Sequence, residues 1–184
     1  MPRVWIRGIG LVAPGVLPRL EAALKQRYSA VVEILDSIEE PTAAFDSHRQ
    51  QYSSVALMKT LMESTPDGDG KVLGVSERDL FIPMLTFVFG LAQLNGRYAL
   101  VSLARLRQEF YGLPTGETVF EQRAIKETCH ELGHTFGLAH CPDVSCPMSL
   151  STTIGQVDAK ESEFCEACAA QLKECGLAHR EQFT

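Results

Sequence analysis

The sequence predicts an α/β chain of the α+β kind: a twisted, mostly parallel sheet with one antiparallel strand, a long helix packed on it, and a small C-terminal lobe. Three observations carry this. The chain opens as strand, helix, strand, the pattern of a parallel crossover unit. Two apolar runs flank Asn95-Gly96-Arg97, a hairpin signal that must reverse one strand. From residue 141 onward spaced cysteines replace apolar periodicity.

Val4 to Ile9 reads as the first strand and Pro14 to Arg27 as a helix with Leu17, Leu20, Ala23 and Leu24 on one side. Ser29 to Leu35 is a second strand, an apolar run expected to be buried on both faces. After Glu40-Pro41-Thr42, the stretch from Ser47 to Glu63 places Tyr52, Val55, Ala56, Met58, Leu61 and Met62 at helical spacing. Pro66 to Gly70 is a loop, in which Asp69 lacks the distal Glu of a calcium site. Lys71 to Ser76 is a third strand, and Leu85 to Leu94 and Tyr98 to Leu106 form the hairpin. If the first hairpin strand lies at the sheet edge beside a cleft, its free amides and carbonyls offer a rail for an extended peptide. Beyond the loop Tyr111 to Gly116, Thr118 is expected to cap a helix from Val119 to Leu138, with Val119, Ala124, Cys129 and Phe136 toward the core.

That helix carries His130-Glu131-Leu132-Gly133-His134-Thr135-Phe136-Gly137-Leu138-Ala139-His140. His130 and His134 lie one turn apart on one face, so both imidazoles can reach one metal ion. Gly137 can take the left-handed conformation that ends a helix, turning the chain so that His140 returns as a third ligand. Three protein nitrogens with a fourth position open is the arrangement of catalytic zinc, whereas structural sites close with four protein ligands. Glu131 is turned about 100° from His130 around the helix. There it is suited to receive a proton from zinc-bound water as a general base.

The later cysteines, Cys141-x4-Cys146 and Cys165-x2-Cys168, have the spacing of a closed sulfur site for a second zinc. A metal cross-link would hold a lobe whose stretch Ser149 to Asp158 is poor in apolar residues. A redox pair at Cys165 and Cys168 is the competing reading. Cys129 is expected to be a core thiol, and a helix from Glu161 to Cys175 to end at Gly176.

Composition fits one domain of 184 residues, 45% apolar and 22% charged. The formal charge of −6 argues against a nucleic-acid partner. The N-terminus lacks a signal-peptide apolar run and no segment is long enough to span a membrane, so a soluble, cytoplasmic chain is expected. Neither heptad nor repeat calls for assembly, and a monomer is expected.

The string His130-Glu131-x-x-His134-x-x-Gly137-x-x-His140-Cys141-x4-Cys146-x-Met148, followed after 16 residues by Cys165-x-x-Cys168, resembles the signature of the archaemetzincins in the metzincin clan. The resemblance covers residues 130–168 densely and implies one catalytic domain with a metzincin-like fold. Its N-terminal lobe, 1–137, would hold the sheet and active-site helix. Its C-terminal lobe, 138–184, would hold a Met-turn at Met148 and the four-cysteine site, with a cleft between the lobes. It further implies His130, His134 and His140 on a catalytic zinc, Glu131 as general base, and Cys141, Cys146, Cys165 and Cys168 on a structural zinc. The two zinc ions would serve hydrolysis of a peptide or protein substrate.

Many metzincins place a tyrosine after the Met-turn to help the oxyanion. Here Ser149-Leu150-Ser151-Thr152-Thr153 offers hydroxyls instead, and the oxyanion stabiliser is unassigned. Because His140 and Cys141 are adjacent, the closed site would aim the third histidine, and Cys165→Ser is expected to lower zinc at the histidines too. Two rivals come from other classes. One is a weak or inactive peptide-binding or regulatory module keeping only the structural zinc, which Glu131→Gln would leave unchanged. The other is a zinc-ribbon module on nucleic acid, which salt-dependent binding would reveal.

Overall fold

The computed structural model describes residues 1–181, with side chains described through Cys175. In chain order its elements are β1 (Arg3–Ile9), α1 (Val16–Tyr28), β2 (Val31–Ile38), β3 (Phe45–Asp46), β4 (Gln51–Ser53), α2 (Ser54–Ser64), β5 (Lys71–Ser76), β6 (Leu80–Phe81), β7 (Gly90–Ala92), β8 (Tyr98–Ser102), α3 (Glu117–Thr135), α4 (Ile154–Ala159) and α5 (Glu166–Glu181). The main sheet has the order β2-β1-β5-β8-β7. Its first three pairings are parallel and only β7 runs against its neighbour, with Leu91 opposite Leu100. A three-stranded patch, β3-β4-β6, stands beside it.

Successive side chains of a strand point to opposite faces, and the core is divided accordingly. Val4, Ile6, Leu73, Val75, Ala99 and Val101 face α1 and α3, meeting Leu20, Leu24, Phe120, Ala124 and Leu132. Trp5, Ile9, Val72, Tyr98 and Leu100 face α2, meeting Leu57, Met58 and Leu61. A third, small cluster of Leu138, Cys146, Met148 and Cys168 lies under the cysteine-rich end. Across the first layer Tyr28 stacks on Phe136 with centroids 5.3 Å apart and donates its hydroxyl to the Cys129 carbonyl at 2.6 Å.

Several elements depart from the sequence reading. β2 is a sheet edge: Val32 is buried in the α1 layer, but Ile34 on that same face and Val31 on the opposite face are open, and on the α2 side Leu35 and Ile38 are only partly buried. The second helix starts at Ser54, where Ser53 caps it by accepting from the Ala56 amide; the residues before it form β4. The first hairpin strand is confined to β7, and Ala104–Leu106 leaves the second as a 3₁₀ turn. α3 begins at Glu117 with Gly116 at its N-cap and no side-chain cap, so Thr118 lies inside the helix. Within the stretch read as apolar-poor, α4 forms on a capping box between Thr153 and Gln156. Gly176 does not end the last helix, which runs to Glu181. The C-terminal lobe expected from the sequence extends to residue 184, past the described residues. No described helix is long and apolar enough to cross a membrane.

Candidate metal centre

α3 ends as its sequence dictates. Gly137 takes φ +90°, its amide donates to the His134 carbonyl at 2.9 Å, and the Leu138 amide donates to the Gly133 carbonyl at 3.1 Å. This paired capping reverses the chain and drives Leu138 into the small cluster. His140 is thereby carried back over the helix. Its ring centroid lies 5.3 Å from that of His130 and 5.0 Å from that of His134, which are themselves 4.6 Å apart.

The rings are oriented by carbonyls. His130 Nδ1 lies 2.8 Å from the Pro147 carbonyl and His134 Nδ1 lies 2.7 Å from that of Leu138. Donation from Nδ1 leaves each Nε2 with its lone pair, and the two Nε2 atoms stand 3.1 Å apart. Burial, with the Lys160 charge second, lowers His130 to about 3; burial lowers His134 as well. Neutral imidazoles with free Nε2 atoms are the donor set zinc takes, and one nitrogen from each histidine falls within 4.8 Å of the others.

Glu131 is buried beside them, and its carboxylate packs directly on the backbone of Gly90 in β7. A Cβ on residue 90 would sit 2.5 Å from Glu131 Cδ. Burial, reinforced by the charge of Glu127 one turn away and opposed by Lys160, raises its carboxyl well above the usual carboxylate range. Lys160, fully buried in the segment after α4, donates to Glu127 Oε1 at 2.8 Å. Met148 is fully buried, with its sulfur against Gly133 in the middle of the motif. It stands beneath the histidine-bearing turn.

The cysteines meet in a second group. One sulfur from each of Cys141, Cys146, Cys165 and Cys168 lies within 4.8 Å of the others, with Cys141 Sγ and Cys165 Sγ 3.7 Å apart. The Cys168 backbone N–H holds the Cys165 thiol below its usual pKa, whereas burial pushes the Cys141 and Cys168 thiols up. Four soft donors without an open position fit a closed zinc site. Cys129 stands apart from this group, fully buried in the core, where desolvation pushes its thiol up to about 12.

A cleft of about 340 Å³ opens over the histidines. The run Leu85 to Ala92, ending in β7, forms one wall; Leu150 to Thr152 form the other; Glu127, His130, Glu131 and His134 line it from α3. The sequence reading brought the histidines, Glu131, the cysteines and Met148 to these places. It missed Gly90, Glu127 and Lys160. Glu127 could have been flagged as a carboxylate four residues before Glu131, but Lys160 is 33 residues away and carries no local signal.

A centre with this chemistry is built for hydrolysis, and the class it defines is the zinc metallopeptidase. The comparisons narrow the class. The model of Peptidase family M54 matches residues 17–174. The archaemetzincin of Methanocaldococcus jannaschii is 41% identical, over 95% of this chain and 95% of its own. The crystal structure of archaemetzincin from Methanopyrus kandleri matches with a TM-score of 0.84 at 34% identity, covering 96% of each chain. That of a zinc-dependent peptidase from Methanocorpusculum labreanum matches with a TM-score of 0.82 at 31% identity, covering 92% of this chain and 99% of that one. The chain belongs to Peptidase family M54, the archaemetzincins.

Proposed function

We propose that this metallopeptidase holds two zinc ions, a catalytic one on His130, His134 and His140 and a structural one on Cys141, Cys146, Cys165 and Cys168, with Glu131 as general base. The observation that carries the reading is the convergence of three imidazole nitrogens within 4.8 Å beside a buried carboxylate in a cleft edged by a sheet strand. When bound at the histidines, zinc supplies Lewis acidity and brings the pKa of a coordinated water to about 7. The chain's own groups do the rest. Glu131, its proton affinity raised by burial, takes a proton from the attacking water and hands it to the leaving amine nitrogen. Gly90 gives it room beside the substrate strand. The free edge of β7 pairs main chain to main chain with an extended peptide, and Met148 supports the histidine turn from below.

We further read the chain as one catalytic unit with lobes at 1–137 and 138–184, monomeric and cytoplasmic. Four cysteines read as metal ligands and one as a buried core thiol suit a reducing compartment. The test is zinc per chain, with peptide turnover, for the wild type, His134→Ala, Cys165→Ser and Glu131→Gln. Two zinc ions in the wild type, one fewer in His134→Ala, and full zinc without turnover in Glu131→Gln are expected. One zinc that ignores His134→Ala, or turnover surviving Glu131→Gln, would overturn the assignment.

A further inference from the structure

We propose that Gln51, with Arg49 beside it, is a positioning residue for the substrate: acting through the Thr86 and Leu85 carbonyls, the pair holds the cleft wall against which a longer peptide lies. The inference rests on the peptidase reading of the cleft and deepens it.

The wall from Leu85 to Val88 precedes β7 and is not a regular strand. Its Leu85 amide closes a turn onto the Ile82 carbonyl at 3.0 Å, and Val88 meets Leu80 of β6 in a single bridge. Leu85 lines the cleft half-exposed, and Met84 before it is almost fully exposed, so apolar burial does little to fix this end of the wall. Polar side chains fix it instead. Arg49 Nη1 donates to the Leu85 carbonyl at 3.1 Å and Gln51 Nε2 donates to the Thr86 carbonyl at 2.9 Å. The Arg105 guanidinium lies 4.0 Å from the centroid of the Phe87 ring. Three successive wall residues are thus each held from outside the wall.

Gln51 stands at the centre of this arrangement. It is buried, and its amide nitrogen also donates to Asp79 Oδ2 at 2.9 Å. Both partners are acceptors, so the side chain must turn its nitrogen toward them. Asp79 is in turn gripped by Arg105 at 2.6 Å and 2.9 Å. The small sheet β3-β4-β6 brings these groups together. Asp46 accepts from the His48 and Arg49 amides, Gln50 takes φ +56°, and the turn so formed delivers Arg49 and Gln51 to the wall. β4 then pairs with β6, the Tyr52 amide donating to the Asp79 carbonyl at 2.9 Å. The small sheet thereby reaches the cleft through the side chains of one turn and strand.

The consequence depends on substrate length. Leu85 lies five residues before Gly90, up to about 16 Å along an extended chain. A peptide that covers only the residues beside Gly90 does not touch it; a longer one does, and buries the open leucine side chain.

The test compares a short blocked peptide with two longer forms, extended by a leucine-containing segment at the amino end of one and at the carboxyl end of the other. KM is read with the zinc-loaded wild type, and Kd by calorimetry with zinc-loaded Glu131→Gln. One of the two extensions is expected to lower both by about tenfold, as burial of a leucine side chain allows. That gain should shrink to within about twofold in Gln51→Met and to about threefold in Arg49→Ala, and return in Arg49→Lys. KM and Kd do not depend on how much of the protein is folded, so a purely structural role for Gln51 would leave the gain intact. No gain from either extension, or a full gain in Gln51→Met, would overturn the proposal; if Gln51→Met does not fold, a full gain in Arg49→Ala overturns it. The two readings separate: a gain in Kd without wild-type turnover sinks the peptidase reading and keeps the wall, whereas turnover without gain does the reverse.

Discussion

Glu131 has almost no room to move. It is packed on the backbone of Gly90 and backed by Glu127, and its proton affinity is set by that confinement. Replacing it with glutamine keeps shape and removes the base, so kcat should fall by about 10²–10⁴-fold with zinc content unchanged, as read by turnover and metal analysis. Gly90→Ala attacks the same carboxylate from outside. The new Cβ would lie 2.5 Å from Glu131 Cδ, the side chain must shift, and a displacement near 1 Å costs about 10²-fold in rate. Zinc retained with rate lost is the expected result; an unchanged kcat would mean the carboxylate does not need this position. The histidines and Glu131 were legible from sequence because eleven consecutive residues hold them and helical geometry fixes their directions. Gly90 was not, since nothing local to an apolar hairpin strand announces a carboxylate arriving from a helix.

α3 and the segment around α4 are fastened by charge. Arg123 pairs with Asp158 at 2.6 Å, Lys126 donates to the Val157 and Asp158 carbonyls, and Lys160 reaches back to Glu127. The last pair is buried on both sides, so breaking it leaves an uncompensated charge in the core. Lys160→Met should destabilise the protein by about 3–5 kcal/mol. The double variant Glu127→Met with Lys160→Met should recover most of that loss, measured by denaturant titration; equal loss in both would assign the cost to packing. α4 was hidden in the sequence because its stretch is short and polar, and its stability comes from the Thr153 capping box and these long-range pairs. The β2 run misled for a related reason: an apolar strand looks the same at an edge as in the middle, and only the pairing order of the sheet, which leaves β2 outermost beside β1, decides which it is.

Across the whole molecule, two buried proton donors meet between α1 and α3. Tyr28 donates to the Cys129 carbonyl; burial raises the Cys129 thiol to about 12 and lifts the Tyr28 hydroxyl well above its usual value. A folded pKa above the unfolded one means the native state binds more protons in that window. The stability is complete below the unfolded thiol value, about 8.5, and is lost as pH rises toward 12. Stability measured from pH 8 to 11 should therefore fall, and Cys129→Ala should flatten the slope while lowering the plateau. An equal slope in the variant would place the alkaline loss elsewhere. The layered architecture itself was readable from strand, helix and hairpin signals, since each of the two faces has its own apolar set.

The turn that joins β7 to β8 is bonded to the end of α3, the Asn95 amide donating to the His134 carbonyl at 2.8 Å. Strand edge and histidine helix are thus one frame on that side, and the slot between them has a fixed gauge. On the reading that an extended peptide pairs with the β7 edge, a folded chain would have to be unravelled at the point of cutting.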